Sequence, residues 1–159
     1  MCTLMMNDVK ATQDFGYRLG SLINKRTVIL LTGDLGAGKT TFTASLAKGL
    51  GVKEIVNSPT FTILKEYDSG RLPLYHFDAY RLEGSEQDLG FDEYIDDEAV
   101  SVIEWPMFMQ EDLPDEYMQI EIKRIEDDKR QMKITCVGKE YEKLCQEALN
   151  ENISNGYFK

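Results

Sequence analysis

The chain has 159 residues, 42% of them hydrophobic, which suits one domain built round a single core. Its formal net charge of −10 makes it a poor partner for phosphate backbones, which counts against sequence-independent binding to DNA or RNA. Any nucleotide site in it must therefore be local, and no apolar run approaches the length of a membrane span.

Met1 to Met6 is too short for a signal h-region and lacks a basic n-region, so the expected compartment is the cytoplasm. Cys2, Cys136 and Cys145 are odd in number and widely spaced, a pattern of idle or buried thiols rather than a disulfide framework or a zinc site. Residues 9–24 read as a helix with an apolar stripe of Phe15, Leu19, Leu22 and Ile23. Thr12 and Asp14 are its candidate caps, and Thr12 has a second reading, as a contact to a nucleotide base.

Thr27-Val28-Ile29-Leu30-Leu31-Thr32 is a β-branched apolar strand. Gly33-Asp34-Leu35-Gly36-Ala37-Gly38-Lys39-Thr40-Thr41 follows it and matches G-x-x-x-x-G-K-[ST], the loop that cradles phosphates. The next segment, to Leu50, carries Phe42, Leu46 and Leu50 on one helical face, and Gly51 stops it. Strand, glycine loop and helix are the context this motif requires. Gly36 and Gly38 have no Cβ, so the backbone can wrap an anion with its N–H groups turned inward. The helix adds its positive end. Lys39 is placed to reach β- and γ-phosphates, the Thr40 hydroxyl to ligate Mg²⁺, and Thr41 to touch the α-phosphate side. Asp34, Gly36, Ala37 and Gly38 complete the expected cradle.

Glu54-Ile55-Val56 reads as a short extended segment and Asn57-Ser58-Pro59-Thr60 as a turn. Thr60 either opens the next strand or senses the γ-phosphate and metal. Residues 61–67 and 72–77 flank Asp68-Ser69-Gly70-Arg71 and read as a β-hairpin. The second strand runs into His76-Phe77-Asp78-Ala79-Tyr80-Arg81. Asp78, just past an apolar strand, is a candidate metal or water ligand, with a plain turn residue as the alternative. His76, the only histidine, reads as a packed or solvated residue rather than a catalyst. Arg81 faces either Asp78 or a phosphate.

Residues 83–98 are rich in acid and read as one or two short helices with a solvated face, or else as a docking surface for a basic partner. Ala99 to Glu104 is an apolar strand ending in a carboxylate, the place of the acid that holds the metal in phosphate-loop proteins. Asp78 and Glu104 thus compete for two roles, metal holder and water positioner. Trp105, the only tryptophan, and Pro106 follow at once. The indole covers the nucleotide, meets a partner or anchors the core. Residues 117–124 and 132–137 form a second hairpin, Lys139 to Leu149 a last helix, and 150–159 a tail expected to fray. The whole predicts one three-layer α/β domain of the P-loop NTPase fold. Its central sheet is mixed, mainly parallel, with antiparallel hairpins.

Four motifs in this order, the phosphate loop, Ser58-Pro59-Thr60-Phe61, His76-Phe77-Asp78-Ala79-Tyr80-Arg81 and Ile103-Glu104-Trp105-Pro106, resemble the TsaE (formerly YjeE) family over nearly the whole chain. The resemblance implies an ATPase that requires Mg²⁺. It implies action with the TsaB–TsaD pair, which places threonylcarbamoyl on the adenosine next to the anticodon of tRNAs reading codons that begin with adenine. The ATPase would support repeated turnover, meet tRNA only through the complex, and have no membrane partner. By the same resemblance Lys39, Thr40 and Thr41 handle phosphates, Thr40 and Glu104 hold the metal, and Lys39, Asp78 and Glu104 are catalytic.

Two other functions fit a phosphate loop. A small-molecule phosphotransferase would close arginines over the phosphates, yet Arg71 and Arg81 are the only arginines between residues 27 and 123. A nucleotide-gated adaptor without catalysis would not need both Asp78 and Glu104.

Overall fold

The computed structural model describes residues 1–34, 36–57, 63–82 and 90–154. Leu35, the segments 58–62 and 83–89, and the end from 155 lie outside the described residues, so the expectations for Thr60, Glu83, Glu86 and Asp88 are not addressed by it. The elements in chain order are β1 (Cys2–Met6), α1 (Val9–Leu22), β2 (Thr27–Thr32), α2 (Lys39–Leu50), β3 (Leu64–Tyr67), β4 (Leu74–Asp78), α3 (Phe91–Asp96), β5 (Val100–Glu104), β6 (Tyr117–Glu126), β7 (Lys129–Val137) and α4 (Lys139–Ser154). Turns of 3-10 type follow β4 at Ala79–Leu82 and β5 at Pro106–Asp112.

The seven strands form one sheet in the order β1-β7-β6-β2-β5-β4-β3. Its middle is parallel, with β6, β5 and β4 ranged about β2, and its edges are antiparallel through β3–β4, β6–β7 and β1–β7. The middle strands are covered on both faces, which explains their unbroken apolar runs. Ile29 and Leu31 of β2, with Val100 and Val102 of β5, join the core under α1, α2 and α4. Val28, Leu30 and Ile103 join a smaller core with Phe77, Phe91 and Ile95 on the opposite face. Two cores on one sheet make the three layers expected.

Helices α1 and α2 run side by side with their backbones in near contact. A Cβ added at Gly20 would lie 2.1 Å from the Leu46 carbonyl oxygen, and one at Gly49 would lie 2.2 Å from that of Tyr17. Alanine is worth about 1 kcal/mol over glycine inside an isolated helix. Here the sign reverses: Gly20→Ala is expected to destabilise by about 1–3 kcal/mol, the usual penalty for overpacking, as read by urea denaturation.

Several local expectations are corrected. The cap of α1 is Asp8, whose carboxylate accepts from the Ala11 N–H at 2.8 Å, not Thr12 or Asp14. β1 is an element that the sequence reading lacks, and α4 continues to Ser154 rather than ending at Leu149. The cysteines, far apart in sequence, lie together. The Cys145 thiol interacts with both Cys2 and Cys136 and draws the Cys2 thiol down to about 7. All three are free.

Candidate functional site

The alternation of β4 and β5 decides which side chains meet. Leu74 and Val100 point into the core beneath α1 and α2, so His76, Asp78, Val102 and Glu104, each an even number of residues further on, share that face. In the parallel register Asp78 lies opposite Glu104, and Leu31 of β2 lies opposite Glu104 on its other side. Two carboxylates thus stand side by side at the carboxyl ends of the parallel strands, where β2 gives way to the phosphate loop. This is where ligands gather in such sheets.

The loop itself has the backbone that its glycines permit. Gly36 and Gly38 lie at φ of +82° and +106°, conformations that side chains with a Cβ resist. A Cβ at Gly36 would meet nothing within 4 Å, so its backbone conformation, not protein crowding, demands glycine there. Gly33 is needed for a different reason: a Cβ would lie 2.5 Å from the Ile122 carbonyl oxygen of β6. Asp34 is exposed, and its carbonyl accepts from the buried Ala37 at 3.0 Å. α2 starts from Gly38 with no side-chain cap, leaving its first-turn N–H groups for an anion.

Lys39 opens α2 over the sheet. Its Nζ lies 3.5 Å from Glu104 Oε1 and 4.9 Å from the centre of the Trp105 ring. Glu104 is only 4% exposed, and its other oxygen accepts from His76 Nε2 at 2.6 Å. An ionised carboxylate only accepts, so His76 Nε2 carries a ring proton. Nδ1 has no hydrogen-bond partner. Burial pushes the Glu104 carboxyl up, but the hydrogen bond and charge of His76, with Lys39, outweigh it, and the carboxyl titrates below its ordinary 4.5.

A carboxyl depressed in the folded state stabilises the fold above its unfolded pKa and loses that contribution as pH falls through the folded value. Wild type is therefore expected to lose stability relative to Glu104→Gln as pH falls below about 4.5. Thermal melting of both proteins across that range checks this.

Asp78 is half-buried, and its Oδ1 accepts from the Tyr80 N–H at 3.1 Å, which starts the 3-10 turn. Trp105 sits at φ +57°, rare for a residue with a Cβ, and this bend turns the chain out of β5 into Pro106. The indole packs against Tyr80 and Phe108, with ring centres 5.1 and 6.4 Å away, while its face meets Lys39. Thr40 is exposed on the first turn of α2, and Thr41 is half-buried.

Thr12 is 2% exposed, and its hydroxyl has no hydrogen-bond partner. Gly16 packs against Phe42 and Ser45, and Gly20 against Leu46 and Gly49, so the two helices advance together. The same register, one turn back, sets Thr12 toward the first turn of α2. Among the described residues no three His, Cys, Asp or Glu are grouped to hold a metal. A Mg²⁺ ion needs no such group, because it is held by one or two protein oxygens plus phosphates and water.

Sequence reasoning misses two residues here. His76 is packed, as one of its two readings has it, but its pairing with Glu104 is not visible in sequence. Arg130 of β7 lies beyond residues 27–123, yet its Nε donates to the Ala37 carbonyl at 2.8 Å. The signal for it was the second hairpin, whose turn the sheet order folds back beside β2. The acidic stretch is partly occupied by local work. Asp97 accepts from the Tyr75 hydroxyl at 2.9 Å, Glu98 from the Arg26 N–H at 3.1 Å, and Asp96 lies 3.6 Å from Arg26.

A glycine loop in left-handed conformation, an uncapped helix behind it and a buried carboxylate on the adjoining parallel strand define a P-loop-type α/β protein. The family model described as "Threonylcarbamoyl adenosine biosynthesis protein TsaE" matches residues 6–132. The tRNA threonylcarbamoyladenosine biosynthesis protein TsaE of Bacillus subtilis is 56% identical over 129 residues, 80% of this chain and 82% of its own. The protein of the same name from Treponema pallidum is 40% identical over 125 residues, 77% of this chain and 92% of its own. The crystal structure of Bacillus subtilis YdiB superposes with a TM-score of 0.81 at 42% identity, covering 95% of both chains. The chain belongs to the TsaE family.

Proposed function

We propose that the protein is a Mg²⁺-dependent ATPase serving threonylcarbamoyladenosine formation on tRNA, with the TsaB–TsaD pair as its partner. The observation that carries the reading is Lys39, held 3.5 Å from a buried carboxylate at the mouth of the glycine loop. The loop amides and the start of α2 bind the triphosphate tail, and Lys39 neutralises its outer phosphates. Thr40 and Glu104 hold Mg²⁺, which when bound offsets charge on the phosphate oxygens. Asp78, beside Glu104, positions the attacking water. His76 keeps Glu104 ionised and oriented, and Thr12 and Thr41 contact the nucleotide. The unpaired hydroxyl of Thr12 fits that role.

The family's role in threonylcarbamoyladenosine biosynthesis and the economy of the structure support action with a partner. The described residues are spent on the sheet, its covering helices and the site. Phosphate release from ATP, measured with and without TsaB–TsaD, tests the proposal. Release that rises with the pair supports it. Release in neither condition contradicts it and favours a nucleotide-gated adaptor. A phosphorylated small molecule instead of free phosphate would identify a phosphotransferase.

A further inference from the structure

Arg130 is the second residue of β7, just past the turn at Asp127, and its guanidinium reaches back to the glycine loop. Nε donates to the Ala37 carbonyl at 2.8 Å and one terminal nitrogen to the Gly36 carbonyl at 3.4 Å. The other terminal nitrogen is tied to the turn, donating to the Asp127 and Lys129 carbonyls at 2.5 and 3.0 Å. A Cβ on Gly38 would lie 3.7 Å from Nε. Among the described residues Arg130 makes no ion pair, so a permanent charge rests on neutral carbonyls in an acidic chain.

From this geometry we infer that Arg130 is a positioning residue for nucleotide phosphates, acting on the loop from the second hairpin. The inference rests on the nucleotide-binding reading above. A peptide unit is planar and trans, so its C=O and N–H point in opposite directions. Holding the Ala37 carbonyl outward fixes the Gly38 N–H inward, into the cradle. The side chain also brings a charge with no protein counterion next to the place where phosphates bind. A lysine keeps the charge but not the fork that spans two carbonyls and the turn. The clamp also ties the loop to the β6–β7 turn, so the two move together.

The test compares wild type with Arg130→Met and Arg130→Lys in the full chain. Calorimetry reads Mg-ATP affinity, phosphate release reads kcat against KM, melting reads the fold, and amide exchange reads the loop without nucleotide. Arg130→Met is expected to melt near wild type, to bind Mg-ATP about tenfold or more weakly, and to raise KM more than it lowers kcat. Its affinity should depend less on salt, and Arg130→Lys should fall between the two proteins. Exchange at Ala37, whose N–H donates to the Asp34 carbonyl at 3.0 Å, should rise about tenfold in Arg130→Met. Wild-type affinity in Arg130→Met, or unchanged exchange at Ala37, overturns the inference. So does a loss of affinity that follows the loss of melting temperature equally in both variants. If wild type itself ignores Mg-ATP, the nucleotide reading fails, and the exchange rates alone then decide whether the clamp exists.

Discussion

Lys39→Ala is expected to abolish Mg-ATP binding under ordinary assay conditions while leaving a folded protein. The side chain sits where the loop ends and α2 begins, with its ammonium between the Glu104 carboxylate and the Trp105 face. A charged hydrogen bond contributes about 1.5–3 kcal/mol, so losing contacts to two phosphates weakens binding roughly a hundredfold or more. The fold has little to lose, because Glu104 keeps its 2.6 Å bond to His76. Circular dichroism and calorimetry on the same sample check both halves. Trp105 is the only tryptophan, and its ring lies 4.9 Å from the Lys39 ammonium, so its fluorescence should also report nucleotide in wild type. Unchanged Mg-ATP affinity in Lys39→Ala would remove the loop from the mechanism.

Glu104→Gln should separate binding from chemistry. Glutamine keeps the shape and an acceptor for His76 but loses the charge that, on the proposed function, would order the metal and the attacking water. Removing a group that handles a proton or water in the transition state costs about 10²–10⁴ in rate. Hydrolysis should fall on that scale, with nucleotide affinity within a few-fold of wild type. Asp78→Asn, one strand away and in register with it, should also slow hydrolysis. The larger fall in kcat identifies the carboxylate nearer the reacting phosphate. Wild-type hydrolysis in both variants would show that these carboxylates stand at the strand ends for other reasons.

Much of this site is legible in the sequence because it is local. The strand Thr27–Thr32, the glycines and the helix from Lys39 to Leu50 are contiguous, and each has a residue-level cause. What sequence reasoning misses depends on pairing across the chain. β1 has few β-branched residues and finds its partner in β7, with Cys2 opposite Ile134. The contact of His76 with Glu104 requires β4 to lie beside β5 in a parallel register, which neither strand announces alone. Arg130 reaches the loop only because β6 pairs with β2 and its hairpin folds back. Thr12 illustrates the converse. Its type suggests a cap, but Asp8 takes that role and leaves Thr12 buried with a free hydroxyl.

The most direct measurement is calorimetric titration of the folded protein with Mg-ATP. The account predicts saturable one-to-one binding that is lost in Lys39→Ala and retained in Glu104→Gln. No binding by wild type, alone or with TsaB–TsaD present, would contradict it.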